Sequence, residues 1–242
     1  MDLKMIPRVK AAHLPTPLEE ATRLSEALGG PRIYIKRDDE TGLALGGNKA
    51  RKLEYLMGEA RGVGADVVLT TGGPQSNHAR MTVAIARRLG MDAVLILTGD
   101  DPGERLGNLL LDEVLGAEIR FAGTEDMEVI DRMLEEAASQ LRQKGRRPYI
   151  VPLGGSTPTG ALGYVQAALE LAEQARDLNL KIDRIVIATG SGGTQAGLVL
   201  GARLAGLQTS IEGISVSRSR DQAAQRVANI ANRAAALMEV PI

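Results

Sequence analysis

The sequence predicts an α/β fold built on a parallel sheet. Short strand-like apolar runs recur along the chain, among them Val67-Val68-Leu69-Thr70, Ala93-Val94-Leu95-Ile96-Leu97 and Ile185-Val186-Ile187-Ala188. Helical stretches of about ten residues or more separate them, which is the pattern of βαβ units. Gly90, Gly116 and Gly145 stand where those helices should stop, as expected of a residue that tolerates the left-handed C-cap.

In chain order, Pro15-Thr16-Pro17 reads as a rigid turn. Thr16 is the expected N-cap and Pro17 the first residue of a helix over 18–28, closed by Gly29-Gly30. A strand over 32–37 follows, with Ile33 and Ile35 on one face. Asp38, Asp39 and Glu40 read as a solvated loop. Leu53, Leu56, Met57 and Ala60 then repeat at helical spacing after Gly46-Gly47-Asn48. Beyond this helix, strands are expected over 67–70, 93–97, 118–121, 149–152, 185–188 and 211–216. The intervening helices are expected over 78–89, 104–115, 125–144, 158–175, 194–205 and finally 220–238.

Composition narrows the function. Of 242 residues, 44% are hydrophobic and 24% charged, an ordinary globular balance able to bury a sizeable core. A net charge of −1 and only four tyrosines and one phenylalanine argue against a nucleic-acid surface. With no cysteine there are no disulfides, thiolate metal sites or thiol nucleophiles. His13 and His78 are the only histidines, and no metal-ligand spacing or Gly-x-Ser-x-Gly elbow occurs. No metal is expected. The start of the chain lacks a signal-peptide core and no run is long enough to span a bilayer, so the expected location is cytoplasmic.

In a parallel α/β sheet, ligands sit beyond the carboxyl ends of the strands. Three such loops carry glycine. After 185–188 comes Thr189-Gly190-Ser191-Gly192-Gly193-Thr194 at a helix start, an anion cradle of backbone N–H groups and hydroxyls that suits phosphate. It is neither the dinucleotide pattern, because Gln195 stands where glycine is required, nor a P-loop. After 67–71 comes Gly72-Gly73-Pro74-Gln75-Ser76-Asn77-His78, where Ser76 or Asn77 caps a helix or turns toward a carboxylate ligand. The third is Gly154-Gly155-Ser156-Thr157. Lys49 sits where the Gly46–Asn48 loop becomes a helix, and the positive helix end disfavours its ammonium form. A lysine so placed can act as an amine nucleophile toward an aldehyde. Arg51 and Lys52 read as helix surface, and His78 equally as an exposed imidazole or a residue near a ligand.

Taken together, residues 46–54 (GGNKARKLE), 75–78 (QSNH), 154–164 (GGS followed by GALGY) and 190–194 (GSGGT) resemble one family. It is the fold-type II, tryptophan-synthase-β-like pyridoxal-phosphate enzymes, in the branch of D-cysteine desulfhydrase and 1-aminocyclopropane-1-carboxylate deaminase. The resemblance implies pyridoxal 5'-phosphate carried on Lys49, which would also move the substrate α-proton. It implies Asn77 at the ring hydroxyl, with Gly190, Ser191, Gly192, Gly193 and Thr194 at the phosphate. Ser76, with the N–H groups of Asn77 and His78, would take the substrate carboxylate. His78 and the 160–164 stretch look more like the desulfhydrase side.

The implied activity is α,β-elimination on a small β-substituted amino acid, D-cysteine to pyruvate, ammonia and hydrogen sulfide. Cyclopropane-carboxylate deamination and cysteate lysis are the sister readings, and a non-catalytic cofactor binder is the reading from another class. The resemblance further implies a homodimer and two domains. The small one is 46–157, and the large one is 1–45 plus 158–242. Family members continue past the position of Ile242, so the chain is read as lacking their C-terminal segment. Tyr34, Tyr55, Tyr149 and Tyr164 match none of the tyrosines expected there. All of this requires the Lys49 amine and the 190–194 turn to lie within reach of one small molecule.

Overall fold

The computed structural model describes residues 3–241, without the Lys4 side chain. Near its start, β1 (Leu18–Glu20) pairs antiparallel with β2 (Tyr34–Lys36), and α1 (Thr22–Leu28) bridges them. The helix expected from residue 18 therefore begins four residues later. Pro17 fixes an extended entry, its carbonyl accepts from the Arg37 amide, and the Ala21 amide donates to the Ile33 carbonyl, so this stretch is committed to pairing. Thr16 caps nothing, because its hydroxyl is buried against Asp38 and Arg51. Ile35 is exposed on the short β2, which begins only at Tyr34.

From α2 (Lys49–Gly62) the expected alternation follows. The elements are β3 (Val67–Gly72), α3 (Asn77–Arg88), β4 (Asp92–Leu97), α4 (Gly107–Val114), β5 (Glu118–Phe121), α5 (Met127–Gln143) and β6 (Pro148–Val151). The four strands form one parallel sheet in the order β5-β4-β3-β6. The chain steps outward from β3 to β5, then α5 carries it back to the other side of β3. The order reverses between β3 and β6, which places a ligand crevice at their carboxyl ends.

Alternation along β3 explains the layering. Val68 joins α2 and α3 in one apolar layer, while Val67 and Leu69 pack with α5 on the opposite face. Every residue of β3 is buried.

The rest comprises α6 (Pro158–Asp177), β7 (Arg184–Thr189), α7 (Gly193–Leu204), β8 (Ser210–Ser215) and α8 (Arg220–Met238). Strands β7 and β8 form a separate parallel pair. Ile185, Ile187 and Ile211 pack on α6 and α7, whereas Val186, Ile214 and Val216 are exposed on the other side. Helix α6 lies against both α2 and α7 because glycine lets the backbones touch. A Cβ on Gly163 would stand 2.2 Å from the Arg51 carbonyl, and one on Gly197 2.3 Å from that of Ala161. Tyr55 on α2 joins Leu162, Val165, Leu200 and Ile230 in the core beneath these helices.

Helix α2 is thus enclosed, and Arg51 and Lys52 are buried rather than on the surface as expected. The Arg51 guanidinium makes forked bonds of 2.9 Å to Glu170 on α6, and 2.9–3.1 Å bonds to Asp38. Asp38 also accepts from Thr16 and from the Tyr164 hydroxyl, so it belongs to an interior network and not to a solvated loop. On the same helix, buried Glu54 accepts from the Ala11 and Ala12 amides and from Arg8, tying down the N-terminal segment. Among the described residues no helix is long and apolar enough to cross a membrane.

Candidate active site

The loops after β3, β6 and β7 converge. A Cβ on Gly154 would collide with the Ser191 hydroxyl, and one on Gly155 would meet the His78 ring at 3.5 Å. The crevice edge therefore joins all three glycine-bearing loops of the sequence.

Lys49 enters from a strained turn. Ala44, Leu45, Gly46 and Gly47 all have positive φ, and a Cβ on Gly46 would fall 1.8 Å from the Asp39 carbonyl. Asn48 then occupies the N-cap position of α2 without capping it. Its carboxamide is used elsewhere: Oδ1 accepts from Lys49 Nζ at 2.9 Å, and Nδ2 donates to Thr194 Oγ1 at 3.1 Å. One carboxamide therefore spans from the amine to the hydroxyl that opens α7. Burial lowers the Lys49 pKa, which enlarges the fraction present as free amine.

The turn from Gly190 to Thr194 has its peptide groups held from outside. Arg218 donates to the Gly190 carbonyl at 2.7 Å, and Arg226 to the Ser191 carbonyl at 2.8 Å. In a trans peptide the N–H points opposite the carbonyl. The amides of Ser191 and Gly192 consequently face away from these arginines. Gly192 has φ 87°, a left-handed value suited to glycine. The Gly193 N–H donates to Ser156 Oγ at 3.2 Å, and Ser156 in turn donates to Ser191 Oγ at 2.7 Å. A Cβ on Gly193 would come within 2.8 Å of the Ser156 backbone, so the turn and the 154–157 loop are in direct contact.

Lys52 completes this cluster, and it was missed in the sequence because its charge suggested solvent. It is one helical turn from Lys49 and its Nζ donates to Ser156 Oγ at 3.2 Å. Among the described residues neither amine has a carboxylate within ion-pair distance. Burial, and then the neighbouring Lys49 charge, push the Lys52 pKa well down. His78 is buried beside them. Thr70 gives its proton to the Val151 carbonyl at 2.7 Å, so its oxygen accepts from His78 Nε2 at 2.9 Å. Burial and the charges of Lys52 and Lys49 hold this ring neutral.

The start of α3 supplies the remaining expected residues. Ser76 is the N-cap, its Oγ accepting from the Ala79 amide at 3.2 Å, which leaves the hydroxyl proton available. Asn77 is exposed and does not touch Lys49. Its Oδ1 accepts from Arg80 at 3.0 Å and from Asn108 at 3.1 Å.

A sequence model of the family described as "Pyridoxal-phosphate dependent enzyme" matches residues 9–240. The chain belongs to the pyridoxal-phosphate-dependent enzymes. It is 42% identical over 240 residues to a Pyrococcus abyssi protein named "Putative 1-aminocyclopropane-1-carboxylate deaminase", covering 99% of this chain and 72% of that protein. It is 43% identical over 221 residues to a D-cysteine desulfhydrase of Serratia proteamaculans, covering 89% of this chain and 66% of that one. A crystal structure of an ACC deaminase homologue superposes with a TM-score of 0.92 at 43% identity, over 99% of this chain and 72% of that one.

The cofactor of this family is pyridoxal phosphate, and the residues present fit it. The group needs an amine for its aldehyde and a cationic, N–H-rich cradle for its phosphate. Lys49 could supply the first. Lys52, Thr194 and the glycine turn could supply the second, and the Asn48 carboxamide bridges Lys49 and Thr194.

Proposed function

We propose that this chain is a lyase of the pyridoxal-phosphate-dependent family acting on a small β-substituted amino acid, with D-cysteine converted to pyruvate, ammonia and hydrogen sulfide. The observation that carries the reading is the Lys49–Asn48–Thr194 chain of hydrogen bonds, which ties a buried amine to the glycine turn. Bound there, pyridoxal phosphate supplies an electron sink for the pair left when a substrate loses its α-proton.

The protein supplies the rest. Lys49 holds the cofactor covalently and carries the proton to and from the substrate α-carbon. Lys52, Thr194 and the turn Gly190, Ser191, Gly192 and Gly193 take the phosphate charge, the turn through its Ser191 and Gly192 amides, favoured by the α7 N-terminus. Asn77 addresses the ring oxygen. The free Ser76 proton, with the Asn77 and His78 amides at the start of α3, receives the substrate carboxylate.

A division into a small domain over 46–157 and a large one over 1–45 plus 158–242 is supported by the sheets, since the four-stranded sheet falls wholly within the first range. The dimer and the cytoplasmic location belong to the same reading. The Pyrococcus relative's name favours 1-aminocyclopropane-1-carboxylate as a second substrate.

The test is the visible spectrum after addition of pyridoxal phosphate. A band that borohydride bleaches, with the cofactor mass fixed to the Lys49 peptide, is expected. Lys49→Ala should show neither. Pyruvate released from D-cysteine supports the first substrate, and 2-oxobutyrate released from the cyclopropane acid the second. A protein that stays colourless overturns the assignment.

A further inference from the structure

The Asn77 carboxamide is held by a cation that the reaction does not itself require. Arg80 Nη1 donates to Asn77 Oδ1 at 3.0 Å and to Asn108 Oδ1 at 2.6 Å, while Asn108 Nδ2 donates to Asn77 Oδ1 at 3.1 Å. Arg80 Nη2 donates to the Gly46 carbonyl at 3.0 Å, in the turn that delivers Lys49. A guanidinium only donates, so the atom of Asn77 facing it must be oxygen. Asp112 on α4 is wholly buried, with no hydrogen-bond partner for either carboxyl oxygen. Arg80 Nε is also buried without a partner. Among the described charges, Arg80 is the one that acts on Asp112, and Asp112 the one that acts on Arg80.

We propose that Arg80, backed by the buried Asp112 carboxyl, is a positioning residue that sets which end of the Asn77 carboxamide faces the cofactor ring, so that Asn77 offers an N–H donor and not an oxygen. The inference rests on the cofactor reading above. Two donors converge on Oδ1, which leaves Nδ2 on the opposite branch. A donor at the ring oxygen favours its deprotonated form, and an acceptor there opposes it. The same guanidinium sets the Gly46 turn, so the covalent anchor and the ring contact are registered by one side chain.

The experiment is a pH titration of the visible band of the cofactor-loaded protein, with thermal melting recorded alongside. Arg80→Met should move the titration midpoint upward by about one pH unit, the size of one lost hydrogen bond to a charged group. Asn77→Ala should move it similarly. The double variant should move no further than Asn77→Ala, because Arg80 acts through Asn77. Asp112→Asn should give a smaller upward shift. Should Arg80→Met not fold, Asn108→Ala carries the same comparison: it leaves the Arg80 charge in place, removes one donor from Asn77 Oδ1, and should shift the midpoint upward only when Asn77 is present. Shifts that add in the double variant, or unmoved midpoints in Arg80→Met and Asn108→Ala, overturn the proposal alone. A wild-type protein with no band overturns the cofactor reading, and this inference with it.

Discussion

Arg51 and Lys52 are neighbours on α2, and each is 1% exposed, yet the two faces they occupy are built on opposite principles. Arg51 is surrounded by two carboxylates, a threonine hydroxyl and, through Asp38, a tyrosine. Lys52 has one serine hydroxyl and a second lysine nearby. A buried charge is costly unless it is paired. The Arg51 face meets that cost within the chain and is a structural joint between α2, α6 and the N-terminal segment. The Lys49–Lys52 face does not, and what it lacks is negative charge beside an N–H-rich turn. The difference is what the proposed function rests on: one face is architecture, and the other is the face proposed to take an anion.

The largest test of the comparison is Arg51→Met. It takes from Asp38 its ion-pair partner and leaves Glu170 with Lys36 alone, and should cost about 3–5 kcal/mol, the range for breaking a buried pair, read by urea unfolding of the unliganded protein. A loss below about 1 kcal/mol, typical of a surface pair, would erase the distinction. Lys52→Met should behave in the opposite sense. Unfolding without ligand should become no easier, since a buried amine with a single weak partner has been removed. Affinity for pyridoxal phosphate should fall about 10- to 100-fold, as expected for one charge-assisted contact of about 1.5–3 kcal/mol, measured by fluorescence or absorbance titration.

Much of this was readable from residues alone. The alternation of strand and helix, the Lys49 junction and the Gly190–Thr194 turn depend on local spacing, and local spacing is what a sequence displays. The Arg51 network was not readable. Its partners lie 13 and 119 residues away, and no periodicity links Asp38, Arg51 and Glu170. Lys52 offered a weak signal, being one turn from Lys49 on the same helix face, but a lysine between Arg51 and Leu53 ordinarily reads as solvent-facing. The early strand at 18–20 was missed for a related reason. Leu18, Glu19 and Glu20 have no strand-like composition, and they pair because β2 lies alongside. For Asn77 the place at the start of α3 was legible, but its orientation was not, because Arg80 and Asn108 fix it from two other turns.

A pH series sharpens the same contrast. Both lysines have folded-state pKa values below 10.5, Lys52 far below, with burial the leading cause. In the unfolded chain they remain protonated until about pH 10. Between its folded-state value and about pH 10 each amine therefore binds more protons in the unfolded chain, and its contribution to unfolding free energy should rise with pH there. The slope is at most about 1.4 kcal/mol per pH unit for each amine neutral in the folded state and protonated in the unfolded one. The gain is lost as pH falls through the folded-state values. Lys52→Met should flatten this rise. Arg51→Met should leave its slope unchanged, because a guanidinium does not titrate in the range.

The smallest expected effect is on the outer side of the turn. Arg218 touches neither amine, and what it holds is the Gly190 carbonyl. Its removal strands no buried charge, since the side chain is only partly covered and the carbonyl can turn to water. Stability should change by less than about 1 kcal/mol. The peptide group would, however, be free to rotate, and the Ser191 N–H would no longer be committed to one direction. Arg218→Met should therefore weaken pyridoxal phosphate about fivefold, close to the net worth of one neutral hydrogen bond, with the band position unchanged. A loss as large as that of Lys52→Met would mean that Arg218 meets the phosphate directly. In that event the cationic side of the site would extend to the α8 end of the turn, and Lys52 would share the phosphate charge with a residue outside α2.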